Sequence, residues 1–333
     1  MKRVYITDCE GPVAKNDNAF ELTTHFVPDG DRLFSLLSRY DDILAYTYRR
    51  KGYRAGNTLR LIVPFLKAYG ATNENTAAFC RENILLVPKA ADLLIWAHQY
   101  LPTYLVSTSY SAYIVSLCEL VGFPTEQAFS TQLDLDSCQF TSEEVEWVRK
   151  KAREILEFPM IPEPGEKGDG EVGQTVEALD RIFEALSVGG PGEIMTGVDP
   201  VGGGEKAKRV SSVVHRLGCE LDAVMYVGDS ITDVEAFRAV RKGGGLTVSF
   251  NGNRYAVENA EIAVISKTAE VLKGVVSTFK EHGKRQAMEL ARRWGNSGWP
   301  LVCAITPRNL PMIAEESSKM RRNLRGEKIG ILG

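Results

Sequence analysis

Two pairs of acidic residues stand at positions where the sequence predicts that strands end. Asp8 and Glu10 come directly after the strand-like run of residues 2–7, and Asp229 and Asp233 come directly after another apolar run. A carboxylate can attack phosphorus to form an aspartyl-phosphate, and a second carboxyl group can protonate the leaving alkoxide and then activate water. Carboxylate oxygens from two strand ends also suit Mg²⁺. The pairs therefore point to phosphoryl chemistry with a metal ion.

The second pair is the stronger signal. Asp229 is a good helix-capping residue, but a cap does not explain Asp233, which returns to the same face if a helix starts at once. The first pair, taken alone, is more often a solvated turn. Ser107, after another predicted strand, and Lys206, at a predicted helix start, are singly typical of surface structure, yet both side chains could bind a phosphoryl group. The order of these four fragments along the chain makes them informative.

Short apolar strands and helices alternate around these fragments. The predicted strands are residues 2–7, 103–107, 129–136, 223–227, 246–250 and 262–265. Helices that alternate with such strands indicate a parallel sheet covered on both faces. In open sheets of this kind, ligands bind outside the carboxyl ends of the strands. The sequence therefore predicts an α/β fold in which the four fragments converge.

The composition is that of an ordinary globular chain. The 333 residues are 44% hydrophobic and 25% charged, and the formal net charge of −3 gives no case for nucleic acid or an anionic membrane. Apolar stretches such as residues 61–66 are too short to span a membrane, and the early strand leaves no room for a signal peptide. The cysteines and histidines are scattered without disulfide or zinc spacing. We therefore expect a cytoplasmic protein of about two domains.

The order of acid pair, hydroxyl, lysine and G-D-x-x-x-D resembles the haloacid dehalogenase (HAD) superfamily, most closely its phosphoserine-phosphatase-like branch. Residues 82–94 resemble the helix start before the family's second motif, and 129–136 and 248–253 resemble its third strand and its last motif loop. The resemblance covers residues 1–12, 82–136 and 204–266. It implies a Rossmann-like core with a parallel sheet, a helical cap after strand 1 and a second insertion after strand 3.

The resemblance also implies roles for individual residues. Asp8 would be the nucleophile and a Mg²⁺ ligand, while Glu10 would offer a backbone carbonyl to the metal and its side chain to acid/base chemistry. The remaining implied residues are Ser107 and Lys206 as catalytic groups, Asp229 and Asp233 as metal ligands, and Ser107, Thr108, Lys206 and Asn251 as substrate-binding groups. Lys208 is a rival for Lys206, which we prefer because it opens the helix.

Two positions depart from the family's pattern. Glu10 stands where the family's phosphatases usually have Asp, and a misplacement of about 1 Å can cost about 10²-fold in rate. Pro12 stands where Thr or Val is usual and removes a backbone donor. We predict a Mg²⁺-dependent phosphatase acting on a small phosphorylated metabolite through an aspartyl-phosphate. The alternatives are a phosphotransferase or phosphomutase and a non-catalytic metal- or phosphate-binding module, while a dehalogenase fits least because it uses no metal.

The remaining segments define the expected domain organisation. The catalytic core is predicted in residues 1–12, 100–136 and 204–283, the helical cap in 13–99, the second insertion in 137–203 and a basic helical tail in 284–333. Two Pro- and Gly-rich stretches, 159–173 and 189–204, are typical of flexible linkers. The tail is typical of a solvated helical surface, with a phosphate- or nucleic-acid-binding face as the alternative. Candidate specificity residues in the cap are Lys15, Asn16, Asn18, Arg49, Arg50, Lys51 and Arg54.

Overall fold

A seven-stranded sheet forms the centre of the protein, which we describe from a computed structural model over residues 2–162, 171–294 and 300–332. The strands are β1 (Val4–Thr7), β2 (Thr103–Tyr110), β3 (Ala128–Thr131), β4 (Val224–Gly228), β5 (Leu246–Phe250), β6 (Ile262–Ile265) and β7 (Leu301–Ala304). Their order is β3-β2-β1-β4-β5-β6-β7. Strands β1 to β6 run parallel, and β7 is antiparallel to β6. The predicted α/β fold with a parallel sheet is confirmed.

Strand β1 lies inside the sheet, between β2 and β4. Its four residues are fully buried, as expected for a β-branched and aromatic strand covered on both faces. Thr7 pairs with Leu105 of β2 and with Val227 of β4. The residue after Thr7, Asp8, therefore emerges between the carboxyl ends of two neighbouring strands.

Helices cover both faces of the sheet. The α-helices of the described residues are α1 (Asn18–Phe26), α2 (Gly30–Asp42), α3 (Thr58–Leu61), α4 (Val63–Ala68), α5 (Asn73–Glu82), α6 (Ala90–Tyr100), α7 (Ser111–Val121), α8 (Ser142–Leu156), α9 (Glu171–Leu186), α10 (Gly189–Thr196), α11 (Gly204–Leu217), α12 (Val234–Lys242), α13 (Arg254–Asn259), α14 (Leu272–His282), α15 (Lys284–Trp294), α16 (Leu310–Arg325) and α17 (Glu327–Gly330). One face packs against α6, α7, α14 and α15, and the other against α11, α12, α13 and α16. Within the described ranges, no helix has the length and apolar character that a membrane crossing requires.

The two insertions after β1 and β3 share one apolar core. Phe183 of α9 stacks on Tyr40 of α2 with ring centroids 5.9 Å apart, and it meets Phe65 of α4 edge-on at 6.4 Å. Helices α2 and α4 also contact α8, and α4 contacts α10, so the two insertions pack together as one helical body. Helix α6, which we expected within the cap, packs instead against β2 and α14.

The second Gly-rich stretch and the C-terminal segment do not have the structure that we expected for them. The second Gly-rich stretch contains helix α10 rather than only linker, because Ile194 and Met195 bury their side chains against the neighbouring cap helices. Of the first stretch, residues 163–170 lie outside the described part of the chain. The expected tail is part of the core: β7 adds a strand to the sheet, and α16 packs on α13 and β6.

Candidate active site

The predicted chemical groups meet at the carboxyl ends of β1 and β4. Asp8 follows β1, Asp229 follows β4, and Lys206 lies in the first turn of α11. These three side chains are buried, with at most 4% of each residue exposed. Asp8 and Asp229 line a cavity of about 80 Å³. The cap contributes Phe34, Ser38 and Leu59 to the wall of this cavity.

Lys206 joins the two acidic pairs. Its Nζ donates to Asp8 Oδ2 at 2.5 Å and to Asp233 Oδ1 at 2.8 Å. Burial lowers the pKa of Lys206, but the charges of Asp233 and Asp8 outweigh this effect and raise it above the usual value. Burial also raises the pKa of Asp8 to about 7, although Lys206 opposes that rise. The rival Lys208 is 63% exposed and pairs with Glu205, so the structure places Lys206 at the site.

Asp233 is bonded through both carboxylate oxygens to protein donors. Oδ1 accepts from Lys206 and from the Tyr226 hydroxyl at 2.7 Å, and Oδ2 accepts from the backbone N–H groups of Asp229 and Ser230 at 2.9 and 3.0 Å. A Cβ at Gly228 would lie 2.4 Å from Asp233 Cγ, so only glycine allows this close approach. Asp233 thus holds the turn after β4 and orients Lys206.

The longer side chain of Glu10 reaches the start of α1. Its Oε1 accepts from the backbone N–H of Asn18 at 2.7 Å. Burial and then the charge of Asp17 raise the pKa of Glu10 to about 8, while Arg325 opposes the rise. The Glu10 carboxyl group lines the cavity and keeps its proton at neutral pH. It is therefore suited to donate a proton.

The two predicted hydroxyl groups take different positions. Thr108 lines the cavity, and its Oγ1 donates to the carbonyl of Val201 at 3.1 Å. Ser107 is fully buried, and its Oγ lies 3.0 Å from Ser109 Oγ. The predicted end of the strand at Ser107 is wrong, because β2 continues to Tyr110 through an irregular register.

Asn251 lies after β5, as expected, but its amide is used by the fold. Nδ2 donates to the carbonyl of Ser266 at 2.7 Å, and Oδ1 accepts from the backbone N–H of Ser266 at 2.9 Å. The residue adopts a left-handed conformation, with φ of 47°. Asn251 therefore joins the ends of β5 and β6, and it does not line the cavity described above.

The candidate specificity residues of the cap also lie outside the cavity lining. Arg50 pairs with Asp180 at 2.7 Å, and Arg54 pairs with Glu205 at 3.4 Å. Asn16 lies beside the site but is fully engaged, since its Nδ2 donates to the carbonyl of Asn83 at 2.7 Å. None of these candidate specificity residues therefore lines the cavity that contains Asp8.

Two arginines at the site were not predicted. Arg321 and Arg325 of α16 both donate to Asp229 Oδ2, the latter at 3.1 Å. Their side chains are 3% and 4% exposed, which corrects the expectation that this segment is a solvated surface. Burial raises the pKa of Asp229, and the two arginines oppose the rise. A Cβ at Gly11, where φ is 94°, would lie 2.0 Å from Asp229 Oδ2, so the loop after β1 also closes on this carboxylate.

A metal ion was predicted at these carboxylates, and their donor set has the right chemistry. Asp8, Asp229 and Asp233 each place one oxygen within 4.8 Å of the others, and such oxygens suit Mg²⁺. As arranged, however, Lys206 holds Asp8 Oδ2, protein donors hold both oxygens of Asp233, and two guanidinium groups hold Asp229 Oδ2. These residues therefore do not fit a Mg²⁺ ion in this arrangement.

Comparison with known proteins gives matches among solved structures. The sequence matches no protein-family model and no curated protein. The structure of the gene product AF1437 from Archaeoglobus fulgidus is 31% identical, with a TM-score of 0.85, and the match covers 100% of this chain and 99% of that one. Phosphoserine phosphatase in its apo form is 14% identical, with a TM-score of 0.47 and coverage of 82% and 98%. β-Phosphoglucomutase from Clostridium difficile is 12% identical, with a TM-score of 0.36 and coverage of 84% and 99%.

Proposed function

This chain belongs to the same family as the AF1437 gene product. Its parallel sheet and the order of its motifs resemble the haloacid dehalogenase superfamily, and from this premise we propose that it is a phosphatase of small phosphomonoesters. The observation that carries the proposal is the Asp8 carboxylate. It follows the central strand, lines the cavity and pairs with the buried Lys206 at 2.5 Å. A carboxylate held in this way is a nucleophile with a cation beside it.

In the first step, an Asp8 carboxylate oxygen attacks the phosphorus atom, and the bond between phosphorus and the alcohol oxygen breaks. Glu10 gives its proton to the leaving alkoxide. The pKa of about 8 at Glu10, raised by burial and Asp17, leaves that proton in place at neutral pH. The Lys206 ammonium group neutralises part of the charge shared by Asp8 and the phosphoryl group. The products are an aspartyl-phosphate and the free alcohol.

In the second step, water attacks the phosphorus atom of the aspartyl-phosphate. The Glu10 carboxylate, which has lost its proton in the first step, takes a proton from this water. The bond between phosphorus and Asp8 breaks, so inorganic phosphate leaves and both carboxyl groups return to their starting states. If an alcohol replaces water, the same residues perform phosphoryl transfer, which is the phosphotransferase alternative.

The size of the cavity supports a small substrate and a mobile cap. About 80 Å³ is far below the roughly 300–1,000 Å³ of a typical ligand pocket. We propose that the cap helices open to admit the substrate and close to exclude water that is not needed for reaction. The phosphoryl group would occupy the cavity beside Asp8, with Thr108 available as a hydroxyl donor.

The test is phosphate release from p-nitrophenyl phosphate and from a panel of phosphorylated metabolites. Wild type, Asp8→Asn and the control Asp92→Asn are compared, because Asp92 is an exposed aspartate that does not line the cavity. Each is assayed with Mg²⁺ and with EDTA. We expect turnover in the wild type and the control and none in Asp8→Asn. Acid-quenched wild-type protein should carry phosphate on the peptide that contains Asp8, as detected by mass spectrometry.

Turnover that survives in Asp8→Asn would contradict the nucleophile proposed here. If the wild type turns over no substrate under any condition while all three proteins are folded, the non-catalytic phosphate-binding module becomes the better function. A product in which phosphate has moved to a second alcohol, with no inorganic phosphate, would favour the phosphotransferase.

A further inference from the structure

Helix α16 turns one continuous face toward the site. The side chains of Ile313, Ser317, Arg321 and Arg325 follow one another at four-residue spacing, which places them on one side of a helix. Ile313 packs in an apolar cluster with residues of α13, β6 and β7, and Ser317 Oγ donates to the carbonyl of Gly252 at 2.7 Å. These two anchors fix the helix, so the two arginines beyond them are held against Asp229.

Arg321 is bonded through all three of its nitrogens. Nη1 donates to the carboxylate of Asp229 and to its backbone carbonyl at 3.1 Å. Nε donates to the carbonyl of Gly330 at 3.2 Å, and Nη2 donates to the carbonyl of Leu332 at 3.0 Å. The Arg321 guanidinium group is thus fixed by hydrogen bonds inside the fold and is not a mobile surface charge close to Asp229.

Arg325 joins the loop after β1 to the end of β4. Its Nε donates to the carbonyl of Lys15 at 3.0 Å, its Nη2 donates to the carbonyl of Asn16, and its Nη1 donates to Asp229 Oδ2 at 3.1 Å. The strands β1 and β4 carry Asp8 and Asp229, respectively. Arg325 therefore links the two segments that contribute Asp8 and Asp229 to the site.

The charges of the two arginines match the charge of a divalent ion. Each guanidinium group carries one positive charge at any pH of interest, so together they bring the charge of one Mg²⁺ to the Asp229 carboxylate. An ion bound to the same oxygen would lie beside two cations in a buried site, where like charges repel strongly. Displacing the arginines would leave both buried without a carboxylate and would break their five bonds to backbone carbonyls.

We propose that Arg321 and Arg325 supply the positive charge at Asp229, so that this site performs phosphoryl transfer without a divalent ion. The claim that phosphoryl transfer proceeds without a divalent ion rests on the phosphatase function proposed above. The claim that the two guanidinium groups exclude the ion does not depend on turnover. The proposed substrate is still a small phosphomonoester. The difference is that two arginines, and not a divalent ion, supply the positive charge that balances the phosphoryl group.

The experiment measures divalent ions directly and then measures turnover. Mn²⁺, whose bound state is detected by electron paramagnetic resonance, is titrated into wild type, Asp229→Asn and the control Arg322→Met. It is also titrated into the double variant Arg321→Met/Arg325→Met and into this double variant combined with Asp229→Asn. Arg322 lies on the same helix with 38% of its side chain exposed, and it lies outside the cavity lining. We expect no site in the wild type or in the control, and a new Mn²⁺ site in the double variant that disappears when Asp229→Asn is added.

Turnover should follow the same pattern. We expect equal wild-type activity in Mg²⁺ and in EDTA, and a loss of about 10²-fold or more in the kcat of the double variant in EDTA. Mg²⁺ should restore part of that loss, whereas Arg321→Lys/Arg325→Lys, which keeps both charges, should remain independent of the ion.

A wild-type Mn²⁺ site that is lost in Asp229→Asn would overturn the proposal, and so would wild-type turnover that EDTA abolishes. If the double variant does not fold, the wild-type titration against Asp229→Asn still decides between these outcomes. Absence of turnover combined with the expected Mn²⁺ pattern would sink the phosphatase function and leave the exclusion of the ion standing.

Discussion

The variant Lys206→Met tests whether the buried lysine neutralises the acidic site. The lysine side chain is 0% exposed, and its Nζ lies 2.5 Å from Asp8 Oδ2 and 2.8 Å from Asp233 Oδ1. Methionine fills a similar volume without a charge, so the variant leaves two buried carboxylates without this cation. Removal of one partner from a buried ion pair costs about 3–5 kcal/mol. We expect the free energy of unfolding above pH 7 to fall by that amount.

The size of this loss should depend on pH, and the carboxyl groups decide the direction. Burial raises the pKa of Asp8 from 3.8 to about 7 although Lys206 lowers it, so removal of the lysine raises this pKa further. A carboxyl group whose pKa is higher in the folded protein stabilises the fold fully below its unfolded pKa. That contribution is lost as the pH rises through the folded pKa. The difference between variant and wild type is therefore largest in mildly alkaline buffer and shrinks toward pH 4.

Urea unfolding, followed by tryptophan fluorescence at several pH values, measures the loss. Lys208→Met is the matched control, because Lys208 lies on the same helix but is 63% exposed. Its effect should stay within about 0.5 kcal/mol, as for most surface substitutions. Equal losses in the two variants would refute the buried position of Lys206. A Lys206→Met loss that does not change with pH would show that packing, and not charge, is the cause.

Two further predictions concern the acid group and a residue that the sequence assigned to substrate. Since Asp8 must be ionised and Glu10 protonated, kcat/KM should rise as the pH passes about 7 and fall as it passes about 8. Glu10→Gln should lower kcat by about 10²–10⁴-fold. If the residual activity of this variant still falls above pH 8, a group other than Glu10 titrates there. Asn251→Ala should lower stability by about 1–3 kcal/mol, because it leaves buried backbone groups of Ser266 unpaired. KM should stay unchanged, so a raised KM without a stability loss would return Asn251 to the substrate site.

Most of the site residues that the sequence predicted were recognised from short local motifs. Asp8, Lys206 and Asp229 each sit beside a short apolar strand or at a helix start, so their types and neighbours place them at the carboxyl edge of the sheet. The choice of Lys206 over Lys208 followed from its place in the first helical turn. Asn251 shows the limit of this reasoning, since its position after β5 was predicted but the direction of its amide depends on Ser266 of the next strand.

The arginines of α16 could not be found in the same way. Charged residues on a helix usually face solvent, and nothing next to Arg321 or Arg325 in the sequence indicates an acidic partner. The one signal was the four-residue spacing that aligns them with Ile313 and Ser317, an apolar and a small residue on the same face. Only the packing of α16 on β6 and α13 shows that this face is buried.

The bond from Arg325 to the Lys15 carbonyl joins residues that are 310 positions apart in the sequence. Closing a flexible loop of that length costs about 5 kcal/mol beyond a constant term, and such non-local contacts form slowly during folding. A growing chain therefore carries Asp229 before its two guanidinium partners, Arg321 and Arg325, have been synthesised. We expect the Asp229 carboxylate to lack a paired cation until α16 docks. The docking of this one helix would therefore complete the site in the last stage of folding.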